Sequence, residues 1–217
     1  MGIVFGITGC EEPKFLSLAA TASPYHVRLY EPYFIAEAVG CTGGGEDQAF
    51  RVLAKYIGVF GNPENVSKAP MAMTAPVLMV PEKIAMTAPV LSSSSSVMSF
   101  VLPFHFKSLA EVPSPTDKRV RVRQIPSRIV AVRGFSGWYS DAEAEQHREA
   151  LRKQLVADEL VRDGAALEWS VAQYHPPFTL GFLRKNEVWV ELDEKHAKVK
   201  EMVAKARANA AATAAAK

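Results

Sequence analysis

Residues 70–91 read PMAMTAPVLMVPEKIAMTAPVL (Pro70–Leu91). The hexapeptide Ala-Met-Thr-Ala-Pro-Val stands in it twice, at Ala72–Val77 and Ala85–Val90. The run has no His, Cys, Asp or Ser, and its only ionisable side chains are Glu82 and Lys83. It therefore offers no catalytic constellation, and its meaning is structural. A residue before proline is pushed out of the helical region, so Ala75 and Ala88 are expected to be extended. Proline has no N–H for a sheet ladder, which confines it to strand ends, edges or bulges. With Val80-Pro81-Glu82-Lys83 as a turn, the run reads as two short edge-type strands, a hairpin. Met71, Met73, Met79 and Met86 could line an adaptable apolar cleft, but filling core gaps is the ordinary work of methionine.

Outward from this run, alternating and helical patterns follow one another in order. Tyr25–Tyr30 alternates with period two, Glu31-Pro32 breaks it, and Tyr33–Val39 reads as a second strand. Glu46–Ile57 is the first helix, with Ala49, Phe50, Leu53, Tyr56 and Ile57 as its buried stripe and Gly58 as its stop. Arg51 and Lys55 are i,i+4 neighbours on another face. After the repeat come the serine run Ser92–Ser96 and a strand over Val97–Leu102. In the second half, Arg119–Ile125 and Ile129–Phe135 are strands around a Pro126-Ser127 turn. Ser140-Asp141-Ala142-Glu143 is a capping box opening a helix to about Arg162, with Gly164 as its stop. Trp169–Tyr174 and Glu187–Leu192 are the last strands. The order is β-β-α-β-β twice, and Val27 stands as far before Ala36 as Val122 before Ala131. That plan predicts an α+β fold: a distorted antiparallel β-barrel from two pseudo-symmetric β-α-β repeats, flanked by two helices. Glu194–Lys217 is Ala- and Lys-rich and reads as a C-terminal helix or flexible tail.

The bulk numbers exclude several classes. The 217 residues suffice for a sizeable core, with 48% hydrophobic and 22% charged residues. A net charge of +2 is too balanced for a nucleic-acid footprint. No apolar run reaches the length of a membrane span. Cys10 and Cys41 form no CxxC pattern, which makes a reducing compartment the default. Met1–Gly6 has Gly6 where a myristoylation signal needs Ser or Thr. The histidines show no metal-ligand spacing, and there is no nucleophile elbow, Walker loop or HExxH. An enzyme is therefore not expected.

Several stretches then carry a resemblance. Lys83-Ile84-Ala85-Met86-Thr87-Ala88-Pro89-Val90 is similar to the signature of the SOUL haem-binding proteins. Tyr25–Tyr30, Phe50–Ile57, Met98–Pro103, Val132–Gly137, Tyr174–Pro177 and Arg184–Trp189 resemble the family's other motifs in the same order. The resemblance spans residues 13–193, with 194–217 as an appendage, and the tandem MTAPV copy resembles plant-type members. Lys83–Val90 is the fuller copy, so it is expected in the common fold and Pro70–Val77 as an insertion. The family implies a distorted β-barrel with two helices, built from a duplicated unit. It also implies reversible, non-catalytic binding of haem or another tetrapyrrole, in transport, buffering or signalling.

A porphyrin needs an apolar slot and cations for its two propionates. Arg51 and Lys55 beside the apolar stripe of the first helix are the first candidates, and Lys55 matches a basic position of the family. Two further basic positions fall on Asp47 and Thr179 here, with Arg184 and Lys185 as substitutes. The histidine used as axial ligand by some members falls on Leu29. His26, three residues away on that strand, is expected on the other side of the sheet. No axial ligand is therefore assigned. The alternative is an effector-binding or protein-interaction module that binds no haem, with a partner on helix 141–162. Its Ala144, Leu151 and Leu155 stripe reads equally as sheet packing. The missing leader favours the cytoplasm, with a plastid-associated role as the alternative.

Overall fold

The computed structural model describes residues 9–18, 24–41, 45–81, 96–176 and 179–215. Nine strands and three helices alternate as β1 (Phe15–Ser17), β2 (His26–Tyr30), β3 (Tyr33–Ala38), α1 (Gly45–Ile57), β4 (Val77–Pro81), β5 (Ser96–Val101), β6 (Val120–Ile125), β7 (Arg128–Phe135), α2 (Asp141–Ala157), β8 (Trp169–Gln173), β9 (Asn186–Glu191) and α3 (Ala197–Ala215). The strands form one antiparallel sheet in the order β1-β2-β7-β9-β8-β4-β5-β3-β6.

That order explains the repeat. Exchanging β2–β5 with β6–β9 reverses the order without changing it, so a pseudo-twofold axis passes between the paired strands β4 and β8. The equal spacings noted above become cross-pairs: Val27 faces Ala131 and Ala36 faces Val122. The expected α+β fold is present as a curled half-barrel whose end strands β1 and β6 do not pair with each other.

Period-two alternation sorts the side chains between the two faces. One face carries the helices. α1 buries Ala49, Val52, Leu53 and Tyr56 against Phe34, Ala36, Met98 and Phe100. α2 buries Leu151 and Leu155 against Val27, Ile129, Ala131, Val188 and Val190, joined by Val199 and Ala206 of α3. The opposite face folds onto itself: Tyr30, Tyr33, Ile35, Leu78, Val101, Val130, Ala172 and Trp189 form one cluster drawn from both halves. That joining of distant strands is what curls the sheet.

Four expectations need correction. The first MTAPV copy, expected as an insertion, is built into the described fold. Met71, Thr74 and Ala75 are buried, the Thr74 hydroxyl donates to the Val101 carbonyl, and the Ala75 amide donates to the Glu11 carbonyl at 2.9 Å. Val77 then begins β4, which lies inside the sheet between β8 and β5 rather than at an edge. Pro76 and Pro81 sit before and at the end of that strand, where a missing N–H breaks no central ladder. The second copy falls outside the described residues. It belongs to the segment 82–95 that joins β4 to its neighbour β5, which pair as far as Pro81 and Ser96.

α2 ends at Ala157, not Arg162. Glu159 takes φ +56, and the Leu160 amide reaches back to the Leu155 carbonyl at 2.8 Å while that of Glu159 reaches Val156 at 3.0 Å. This pair of bonds is a Schellman closure, here with glutamate where glycine is usual. Residues 15–17 form a strand that loose patterning concealed. α3 is helical through Ala215 and docks on Leu18 through Val199 and Ala206.

Candidate cleft on the pseudo-twofold axis

The two helices share one face but not one half of it. α1 packs on β3, β5 and β6, and α2 on β7 and β9. Between them lies the β4–β8 strip. Across it the register runs Phe100, Val77, Gln173, Asn186. From β5 to β9 is three strand spacings, about 14 Å, more than the ~8–10 Å at which helices pack. The helices therefore flank the strip, and only the first turn of α2 reaches its floor, through Ala144.

Its floor is graded. Met79 and Val171 are sealed by Ala144, Tyr139 and Trp169, and the Gln173 amide donates to the Met79 sulfur at 2.9 Å. Val77 and Gln173, one step along, are partly buried, Val77 packing against the α1 cluster. One wall is Phe50 of α1, edge-on to Phe100 at 5.4 Å. The other is the segment Gly137–Tyr139. It is fixed by the Asn186 amide donating to the Gly137 carbonyl at 3.1 Å and the Gly137 N–H donating to the Gly181 carbonyl at 3.0 Å. A backbone bond from Glu143 to the Ser140 hydroxyl at 3.2 Å then opens α2, as the capping box predicts.

The four expected cations are not gathered: Arg51 and Lys55 lie on α1, Arg184 on the other side of the strip, and Lys185 on the other face of the sheet. Arg51 is on the exposed face of α1. Lys55 is also exposed, 3.5 Å from Glu64, and leans toward the β6 side, where Asp117 is held below the usual carboxylate range chiefly by Arg119, with Lys55 adding a little. Arg184 is buried in the opposite wall. Its Nε donates to the Thr179 carbonyl at 2.9 Å, its guanidinium lies 3.7 Å over the Trp138 ring, and burial lowers its pKa. Strand alternation sends Lys185 to the other face of the sheet, over the Tyr174 ring at 3.7 Å and beside Glu12 and Glu187.

The same alternation sets His26 and Leu29 on opposite faces: Leu29 packs with the α2 cluster and His26 is exposed. Three other described histidines are engaged away from the floor, whereas the buried Nδ1 of His196, ahead of α3, has no hydrogen-bond partner. His105 packs on Phe106, and His147 stacks on Phe135 at 4.4 Å and accepts from Arg133. His175 accepts the Lys185 amide. No group of three His, Cys, Asp or Glu that could hold a metal occurs among the described residues.

Electrostatics orient the cleft. Where the N-termini of α1 and α2 approach, Glu46 is raised above the usual carboxylate range, first by burial and then by Asp141 and Asp47. The strip is therefore acidic at that end, with Arg51 and Arg184 elsewhere along its sides.

On the opposite face lies a polar network that sequence reasoning missed. Glu187 is 3% exposed and accepts from both terminal nitrogens of Arg28 at 3.0 and 3.1 Å, from Tyr174 at 2.7 Å and from Trp189 at 2.8 Å. Burial alone would raise its carboxyl pKa, but Arg28 and the hydrogen bonds reverse this and hold it below the ordinary value. Tyr30, buried beside them, is pushed up to about 12. The network is fully paired within the chain. Its sequence signal was Glu187 and Trp189 sharing one face of an otherwise apolar strand.

A family model described as SOUL heme-binding protein matches residues 10–191. The chain belongs to the SOUL heme-binding family. Among solved structures the SOUL chain is similar to the EcmrR C-terminal domain, at 9% identity and TM-score 0.48, covering 78% of this chain and 96% of that one. It is also similar to SAV2435 bound to tetraphenylphosphonium, at 12% identity and TM-score 0.38, covering 81% and 98%. None of the curated proteins compared matches this chain. No described helix is long and apolar enough to cross a membrane.

Proposed function

We propose that this protein binds haem or a related tetrapyrrole reversibly, without chemistry on it, in the cleft between α1 and α2. The observation that carries the reading is the partly buried Val77–Gln173 floor with Phe50 on one side and Tyr139 on the other. Family membership supports it. A planar apolar ring fits such a slot, and carboxylates at its edge need cations. Arg51 and Lys55 serve on the α1 side and Arg184 on the other. The exposed Lys55–Glu64 pair contributes little to stability, so Lys55 is available to exchange partners. Lys185 faces the other side of the sheet and is left out of the site. The floor offers one thioether, Met79, already engaged by Gln173. Binding therefore rests on ring contact and propionate pairing, with iron ligation minor. Transport, buffering or signalling are the roles that fit, in the cytoplasm or a plastid.

Titration with hemin should give a saturable Soret change, and iron-free protoporphyrin should bind within a few-fold of it. Lys55→Ala and Arg51→Ala should each weaken both ligands by about two- to fivefold, the scale of one exposed charge pair. Absence of any saturable change in the unaltered protein would overturn the reading.

A further inference from the structure

Trp138 is 63% exposed, and Phe182 and Leu180 beside it are 74% and 42% exposed. Three large apolar side chains at one place on the surface are costly unless something covers them. They are also held in place. Gly137, at φ +111, adopts a backbone conformation that a side chain would strain. Its N–H is tied to the Gly181 carbonyl. A Cβ added to Gly181 would stand 3.0 Å from the indole nitrogen, so glycine is what lets the 3-10 turn Gly181–Leu183 approach the ring. The Arg184 guanidinium carbon lies 3.7 Å from the ring centroid. An indole fixed on one side by a guanidinium and open on the other is a preorganised platform for a flat ligand.

We propose that Trp138 is the stacking wall of the tetrapyrrole cleft, with Arg184 as the positioning residue that holds the indole and offers its charge to a ring-edge carboxylate. The inference rests on the tetrapyrrole reading above and adds the residue that reads the macrocycle. The ligand class follows from the pairing: a planar aromatic ring for the indole, and an anionic periphery for the cation beneath it. A purely apolar or cationic ligand would satisfy only the first.

Hemin and iron-free protoporphyrin IX are titrated separately into the unaltered protein, Trp138→Ala and Trp138→Phe, with absorbance and tryptophan fluorescence as readouts. Trp138→Ala is expected to weaken both ligands by about tenfold and Trp138→Phe by about twofold, since a smaller ring keeps part of the stacking. Trp189 is buried and Trp169 half-buried, so ligand quenching should fall mainly on the exposed emission that Trp138→Phe removes. Because the ring is mostly exposed, both variants should keep the unaltered circular dichroism. Binding unchanged in Trp138→Ala while the unaltered protein binds would overturn this inference alone. A loss confined to hemin would overturn it as well, because stacking does not depend on iron. No binding of either ligand by the unaltered protein would overturn the tetrapyrrole reading and this inference with it.

Discussion

Glu187 keeps its charge beneath aromatic rings, which only its donors permit. Its carboxyl is held below the ordinary value of about 4.3. A depressed carboxylate stabilises the folded state above its unfolded pKa, and that contribution is lost as pH falls through the folded value. The melting temperature should therefore fall below about pH 4, and Glu187→Gln should flatten that part of the curve relative to the unaltered protein. At neutral pH the same substitution should cost about 3 kcal/mol or more, because the Arg28 charge is left buried without its partner. Calorimetry of both proteins across this pH range checks both statements, and parallel curves would refute the first. At this scale the sequence was legible in kind but not in pairing. Arg184 and Lys185 look like one cationic patch until strand alternation separates them. Arg28 and Glu187 stand 159 positions apart, and nothing local joins them. Trp138 was hidden because exposure is set by packing that sequence does not display.

The elements were more legible, since each is written by local chemistry. The Ser140 capping box, the α1 stripe and the alternating strands all appear where periodicity puts them. The errors lie where a tertiary contact overrides a local cue. Gly164 looked like the stop of α2, but Leu160 packs with Leu155 in the core and closes the helix early, forcing Glu159 into the left-handed region. Glu159→Gly should relieve that conformation and stabilise the protein by about 0.5 kcal/mol, the cost of the glycine's freer unfolded state included. Its exposed pair with Lys198 is too weak to reverse the sign. Denaturant unfolding measures this, and a lower midpoint would contradict it. β4 was misjudged for a related reason: prolines that suggest an edge also suit the two ends of a short interior strand.

At the scale of the whole molecule, each half has its own helix-covered core, but the two halves share the cluster on the opposite face and the β4–β8 ladder. Neither half closes its sheet alone. Leu53→Ala in the first half and Leu151→Ala in the second, both at fully buried sites, should each cost about 2–5 kcal/mol and move one common unfolding transition. Two transitions that shift independently in calorimetry would mean the halves fold separately. The duplication itself was legible from spacing, whereas the sheet order, and with it the cleft on the pseudo-twofold axis, was not. Pro81 of β4 and Ser96 of β5 are directly paired neighbours. Closing a longer loop between fixed neighbours costs only ~0.6 kcal/mol for each doubling of its length. This junction is thus a port: a place where a reporter or sensor domain could be grafted without redrawing the scaffold.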